Sequence, residues 1–336
     1  MYIQTSPDRV VVHSPAKLNL FLEVLARRPD GFHEIETLMT AIDLCDTLTA
    51  TPRADGEIRL ACTWAAGAQQ QDASSTAAAA TGERSLETLP EPGKNIVVRA
   101  LALLKQRAAV DRGLEVQLVK RIPAAAGLGG ASSDAAAALI AANRVWGLEL
   151  PLEELSAIAA ELGSDIPFFF SHGSAVCRGR GEQIEAIEGA RLHVVVVRPP
   201  EGLSTPEVYR HCRPAESPAS SLPLREALAQ GNTQEAARLM LNRLQAPASR
   251  LSGWIARLQE EFDRLDCVGH QMSGSGSSYF GLCHHARHAR RTAARLRARR
   301  LGSVHAVATA LWDPRSVEKA GRPKAGELTS NNTTMR

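Results

Sequence analysis

Three stretches of the 336-residue sequence carry residues whose types and spacing could do chemistry. The first, PAAAGLGGASS from Pro123 to Ser133, is almost bare of bulky side chains. Before it, Leu114, Val116, Leu118 and Ile122 alternate with Glu115, Gln117, Val119 and Arg121 as in a half-buried strand. After it, SSDAAAALIAANRVWGL reads as a helix, with Ser132 or Ser133 placed to cap it and Asp134 in its first turn. A strand, a glycine-rich turn and a helix start together make an anion site. Bare backbone N–H groups approach closely and the helix start adds about half a positive elementary charge, so phosphate is the natural guest. No lysine follows Gly129 or Gly130 as a Walker A loop requires. A dinucleotide fingerprint fails too, because its last glycine position is Ser132 and no acidic residue ends a clear following strand. The glycines alone leave open a tight turn packed on an alanine helix.

The second stretch is SPAKLNLFLEV, where strand alternation sets Ala16, Leu18, Leu20 and Leu22 on one face and Lys17, Asn19, Phe21 and Glu23 on the other. A lysine and an amide two apart then point together; a solvated strand face is the bland alternative. The third is GSDIPFFF, in which Asp165 precedes Pro167 and three phenylalanines, either as a turn residue or as a carboxylate held in a cleft. A further small-residue loop, QMSGSGSSYFGLC, lies between two β-like runs, with Gly274 and Gly276 permitting close approach of backbone or ligand; a plain hairpin accounts for it equally well.

The elements that must position these groups are intermixed strands and helices. A length of 336 residues exceeds the usual single domain of about 250 to 300, so two domains sharing one site are expected. Apolar content of 44% is ample for a core, and it comes mainly from Ala, Leu and Val, which suits helices packed closely on a sheet. The net charge of +3 is too small to imply a polyanion partner. Six cysteines are scattered without a C-x-x-C pair, so neither a zinc site nor a disulfide framework is suggested, and buried free thiols in a reducing cytoplasm are expected. The N-terminus lacks the apolar core of a signal peptide and no run approaches the ~18 apolar residues of a membrane span, so a soluble cytoplasmic protein is expected. EIRLACTW and LHVVVV read as strands, NIVVRALALLKQRA as a helix, and PLEELSAIAAELG as a helix from Pro151 to Gly163. A low-complexity insertion at about 65–83 and a disordered tail at 315–336 are expected. The basic run with Arg287, Arg290, Arg291, Arg295, Arg297, Arg299 and Arg300 could bind nucleic acid. Its Ala286, Ala289, Ala293 and Leu296 instead favour an amphipathic helix lying on a sheet. His284, His285 and His288 have no carboxylate or cysteine nearby in sequence to complete a metal site.

In order along the chain, SPAKLNLFLEVLARRPDGFHEIETLM, IPAAAGLGGASSDAAAAL, GSDIPFFF and SGSGSSYFG resemble the GHMP kinases, named for galactokinase, homoserine kinase, mevalonate kinase and phosphomevalonate kinase. The resemblance runs from about Val12 to about Trp312. The lysine strand joined to RRPDGFHE narrows it to members whose acceptor is a cytidine diphosphate sugar alcohol rather than another small alcohol such as mevalonate. It implies an α+β fold of two domains with the active site in the cleft between them: a nucleotide-binding and catalytic domain at 1–182 and a second domain at 183–314. It implies ATP, with Mg²⁺ accompanying the nucleotide, as cofactor; a small-molecule partner; no nucleic acid and no membrane; and a monomer or weak homodimer. The loop residues Pro123, Ala124, Ala125, Ala126, Gly127, Leu128, Gly129, Gly130, Ala131, Ser132 and Ser133 would wrap the ATP phosphates, with Asn95 near the nucleotide. Asp165 would orient or deprotonate the hydroxyl and Lys17 would stabilise the developing alkoxide. Asn19, His33, Ser275 and Gly276 would contact the acceptor, His33 at the cytosine edge, while Phe32 and Tyr209 would sandwich the cytosine ring. Ala125, Ala126 and Ala131 stand where the family often has glycine, and each adds a Cβ where backbone would approach phosphate. Asp134 stands where some members have asparagine.

Overall fold

A computed structural model describes residues 1–66, 95–171 and 173–310. Apart from its first two residues, the expected insertion lies outside the described residues, and so does the expected tail. The chain opens with strands β1 (Tyr2–Ser6), β2 (Arg9–Arg27), β3 (His33–Arg53) and β4 (Ile58–Trp64), followed by helix α1 (Ile96–Arg107). Strand β5 (Gly113–Lys120) leads to α2 (Gly130–Trp146), α3 (Leu152–Ala160), a 3₁₀ turn at Pro167–Phe170, and the hairpin of β6 (Ser174–Arg178) and β7 (Gln183–Ala186). The rest runs β8 (His193–Arg198), α4 (Thr205–Arg210), α5 (Leu222–Ala229), α6 (Thr233–Leu239), β9 (Leu241–Asn242), α7 (Gln245–Leu251) and α8 (Gly253–Asp263). It ends with β10 (Gly269–Met272), β11 (Tyr279–Cys283), α9 (Ala286–Ala298) and β12 (Ser303–Ala308). One sheet has the order β1-β2-β3-β5-β4, with β6 and β7 continuing from β3 and β9 from β2; the other has the order β10-β11-β8-β12. This is the expected α+β architecture, and the chain changes sheets between Ala186 and His193.

Packing explains how the two sheets are held. Leu18, Leu20 and Leu38 from the first sheet join Val194, Val196, Phe280 and Leu282 from the second in one apolar cluster, so the sheets share a core. Burying such side chains contributes about 1.5 to 3 kcal/mol each. Helix α2 packs on β2, β3 and α1, and its Ala135 to Ala138 are all fully buried. A run of methyl groups there lets helix and sheet approach closely.

Three local expectations are corrected. Helix α2 begins one turn earlier than expected: its N-cap is Gly129 at φ 70°, without a side-chain cap, and Ser133 donates its N–H to the Gly129 carbonyl at 2.9 Å. Ser132 and Ser133 therefore sit inside the helix rather than capping it, and Asp134 lies beyond its first turn, buried. Strand β2 does not alternate strictly, because its pairing with β3 shifts register between Asn19 and Phe21. That bulge puts Phe21 in the cluster of Ala16, Leu18 and Leu20, while Leu22 and Val24 face the core of the second half. The solvated-face alternative also fails, since Lys17 is 4%, Asn19 3% and Glu23 0% exposed. Helix α3 stops at Ala160, ahead of Gly163. The basic helix α9 lies on β8, β11 and β12 with Ala289, Ala293 and Leu296 buried, as its periodicity predicts.

Candidate active site

Lys17 enters the site from the middle of β2, buried on both sides. Its Nζ donates to Asn19 Oδ1 at 2.6 Å and lies 3.4 Å from Asp165 Oδ2, so two of its three donors are accounted for. Asn19 is held in turn, its Nδ2 donating to Thr37 Oγ1 at 2.9 Å and Thr37 Oγ1 donating to the Phe21 carbonyl at 2.6 Å. The β-bulge is what lets Asn19 share this polar corner while Phe21 turns into the core. Asp165 sits just before the buried 3₁₀ turn, whose Pro167, Phe168, Phe169 and Phe170 anchor it, yet its side chain stays 41% exposed. The lysine is sequestered and the carboxylate is open to a ligand.

The glycine loop closes over Lys17. A Cβ on Gly129, at φ 70°, would stand 2.9 Å from Lys17 Cγ and 3.0 Å from the Phe169 ring, so only glycine leaves the lysine stem its passage. Three consecutive loop carbonyls accept from the protein: Ala126 from Ser278 N–H at 3.1 Å, Gly127 from Ser273 Oγ at 3.1 Å, and Leu128 from Lys17 N–H at 2.9 Å. In a planar trans peptide the N–H points opposite to its carbonyl, so the amides of Gly127, Leu128 and Gly129 point away from these three anchors, the kind of arrangement that can cradle an anion. The loop between β10 and β11 is thus more than a hairpin turn. A Cβ on Gly127 would stand 2.3 Å from the Ser273 carbonyl, so the two small-residue loops meet backbone to backbone.

Ala125 is an L-residue held at φ 48°, a conformation that costs roughly 1 kcal/mol or more. Glycine there relieves that strain but adds entropy to the unfolded chain, for a net stabilisation of about 0.5 kcal/mol. Ala125→Gly is expected to melt slightly above the parent; a lower melting temperature would contradict the strain.

Beside Asp165 opens a cavity of about 490 Å³, lined also by Phe32, His33 and Tyr209. Tyr209, on α4, packs its ring 5.2 Å from His33 at 37°, while the half-exposed Phe32 ring is faced by the Arg180 guanidinium at 4.8 Å. Burial, with Arg27 nearby, lowers the His33 imidazole below its ordinary value, which keeps it neutral and able to donate and accept. Burial pushes the Tyr209 hydroxyl up. Ser275 Oγ shares a 2.7 Å hydrogen bond with Thr205 Oγ1 on the cavity wall, and Gly276 donates its N–H to the Ser273 carbonyl at 3.0 Å.

Sequence reasoning and structure meet on Lys17, Asn19, Asp165 and the two loops, which are in mutual contact. Asn95 stands at the N-terminus of α1 and caps it, its Oδ1 accepting the Val97 N–H at 2.9 Å. Ser132 is half-buried at the start of α2, whereas the Ser133 hydroxyl is buried within the protein without a hydrogen-bond partner. Asp134 faces the interior and pairs with Lys120 at 2.5 Å, far from the role of a first-turn surface acid. Thr37, Ser273, Thr205 and Arg180 were missed. Only Thr37 had a signal, as a polar residue on the strand opposite the lysine strand.

The GHMP kinases N terminal domain profile matches residues 95–173, and the GHMP kinases C terminal profile matches residues 224–300. The chain is 38% identical over 285 residues to the 4-diphosphocytidyl-2-C-methyl-D-erythritol kinase of Pelotomaculum thermopropionicum, covering 84% of this chain and 92% of that one. The chain belongs to the GHMP kinase family. To the protein of the same name from Rhodopirellula baltica this GHMP kinase is 43% identical over 285 residues, with 80% and 85% of the two chains covered. A solved structure of 4-(cytidine 5'-diphospho)-2C-methyl-D-erythritol kinase superposes with a TM-score of 0.72 at 33% identity, over 89% of this chain and 99% of that one. The homoserine kinase of Cytophaga hutchinsonii shares the fold, with a TM-score of 0.66 at 17% identity over 93% and 97% of the chains. As a GHMP kinase the protein is an ATP-using phosphotransferase.

Proposed function

We propose that this kinase transfers the γ-phosphoryl group of ATP to the 2-hydroxyl of 4-diphosphocytidyl-2-C-methyl-D-erythritol, in the non-mevalonate route to isoprenoid precursors. The observation that carries the reading is the Lys17–Asp165 pair, 3.4 Å apart, with Asp165 opening on a cavity whose wall bears Phe32, His33 and Tyr209. Asp165 receives or orients the hydroxyl proton, and the third Lys17 donor faces the oxygen as it gains charge. Loop amides hold the phosphates, and phosphoryl transfer asks little more of a protein than this positioning. His33 and the two aromatic rings offer the edge and faces that a cytosine needs. Arg27, Arg180 and Arg210 line the same cavity against the single carboxylate Asp165, a balance that suits a diphosphate.

Among the described residues no cluster of His, Cys, Asp and Glu could hold a metal ion. We infer that Mg²⁺ would come with the nucleotide phosphates, with the Ser132 hydroxyl within the helix start as the protein's contribution. Mg²⁺ would supply charge neutralisation on the transferred phosphoryl group. We place the division between the halves within 187–192 rather than after residue 182, because β7 still pairs in the first sheet. Among the described residues no helix is long and apolar enough to cross a membrane. All six cysteines are free, in keeping with a reducing cytoplasm, and a monomer or weak homodimer meets every need of the site. Arg291 and Arg295 pair with Asp266 and Arg299 with Glu261, which supports a solvated helix face over a nucleic-acid surface.

Assays with ATP and either the cytidine-bearing alcohol or mevalonate test the substrate, with turnover expected on the first alone. Phe32→Ala and Tyr209→Ala are each expected to weaken binding of that alcohol by about 1 to 3 kcal/mol while sparing ATP. Loss confined to ATP affinity, in separate titrations of the two ligands, would show the assignment wrong.

A further inference from the structure

Beneath the glycine loop lie three charged groups that the chemistry above does not use. Asp46 on β3 is wholly buried, Asp134 on α2 is 2% exposed, and Lys120, the last residue of β5, is 7% exposed. The Lys120 ammonium donates to Asp46 Oδ2 and to Asp134 Oδ2, each at 2.5 Å. Asp46 Oδ1 accepts the backbone N–H groups of Arg121 and of Ile122, the latter at 2.8 Å. These are the two residues between the end of β5 and Pro123, where the strand ladder has stopped. Asp134 Oδ1 accepts from Ser14 Oγ on β2 at 2.9 Å. One lysine thus ties the residues just before the loop to the helix just after it, and Asp46 and Ser14 tie both to the sheet.

We propose that Asp46 is a positioning residue for the phosphate-holding loop, forming with Lys120 and Asp134 a buried clamp that fixes both of the loop's ends. The proposal rests on the reading of the loop as the ATP cradle. Two arguments carry it. The loop has few side chains of its own to set its shape, and it runs through left-handed conformations at Ala125, Gly127 and Gly129, so its course is dictated by its ends and by the three carbonyl contacts described above. Also, three buried charges stabilise a fold less than apolar packing of the same volume does, while removing any one leaves its partners uncompensated. A triad placed where a strand, a loop and a helix meet makes geometric sense as a spacer between fixed points. Both Asp134 oxygens are engaged, Oδ2 by Lys120 and Oδ1 by Ser14, and the group is 2% exposed, so this acid is committed to the clamp.

The test compares Asp46→Ala, which removes the one acceptor of both N–H groups and the ion pair, with Asp46→Asn, which keeps an oxygen for the two amides. Steady-state KM values for ATP and for the alcohol are measured for each, and amide hydrogen exchange is followed over residues 121–130 without ligand. Asp46→Ala is expected to raise the ATP KM by roughly 10-fold or more and to speed exchange across the loop, since small misplacements of a positioned group cost up to about 100-fold. The alcohol KM should change by about two-fold at most, and Asp46→Asn should recover most of the loss. If Asp46→Ala does not fold, Asp134→Ala frees only the helix end of the loop and carries the test, with the same direction expected. Unchanged ATP KM and unchanged exchange in the folded variants overturn the clamp, as does an equal rise in both KM values. Faster exchange with an unaltered ATP KM upholds the clamp and overturns the reading of the loop as the ATP site.

Discussion

Asp165→Asn is expected to bind ATP and to melt as the parent does, while single-turnover phosphoryl transfer falls by about 100-fold or more. Asparagine is nearly isosteric with aspartate but accepts a proton poorly. The Asp165 side chain is 41% exposed, so its contact with Lys17 is screened by water and contributes little to stability. Lys17 keeps its 2.6 Å bond to Asn19 in the variant, and the glycine loop keeps its backbone anchors. Nothing that holds the nucleotide is disturbed, so the loss should appear in the chemical step alone. Near-normal transfer would remove Asp165 from the chemistry and return attention to Asp134, in spite of its ion pair with Lys120.

Lys17→Met should depress transfer at least as severely, by about 100- to 1,000-fold, the range for losing a donor that meets developing negative charge. Methionine keeps an unbranched stem of similar length in the gap that Gly129 leaves open, so the packing survives. ATP affinity should move much less than turnover, because the loop amides do not involve the Lys17 side chain. The double variant is expected to lose far less than the product of the two single effects, since groups acting on one hydroxyl work as a unit. Single-turnover rates and ATP titrations of all four proteins check this. Multiplicative losses would show that Lys17 and Asp165 act at separate places.

Local signals carried the sequence reading where chemistry is written locally. Bare glycines between an alternating strand and an alanine helix marked the loop, and Lys17 and Asn19 two apart on a strand marked the polar corner. What escaped it is set by partners distant in the chain. The bulge before Phe21 is a property of pairing with β3, and no residue in SPAKLNLFLEV announces it. The start of α2 was misplaced because a left-handed Gly129 turns the chain straight into the helix, and a backbone angle leaves no mark that a capping serine would. Asp46 and Lys120 are 74 residues apart and each looks like an ordinary surface charge in sequence; only the sheet buries them together. Arg180 reaches the Phe32 ring from the loop between β6 and β7, a meeting that composition cannot foretell.

The backbone seam between Gly127 and Ser273 bears on how such an enzyme could be retargeted. Where a methyl group would stand 2.3 Å from a carbonyl, neither loop can drift without the other, so the floor of the cleft behaves as a single casting shared by both halves. The walls are free of that constraint. Helix α4, with Thr205 and Tyr209, and the turn carrying Phe32 are short pieces of the cavity wall, and α4 meets the second loop through the Thr205–Ser275 hydroxyl pair. New acceptor alcohols should therefore be reached by exchanging those pieces, with the phosphoryl-transfer floor left as it is, and a library confined to them should yield changed selectivity at undiminished ATP affinity.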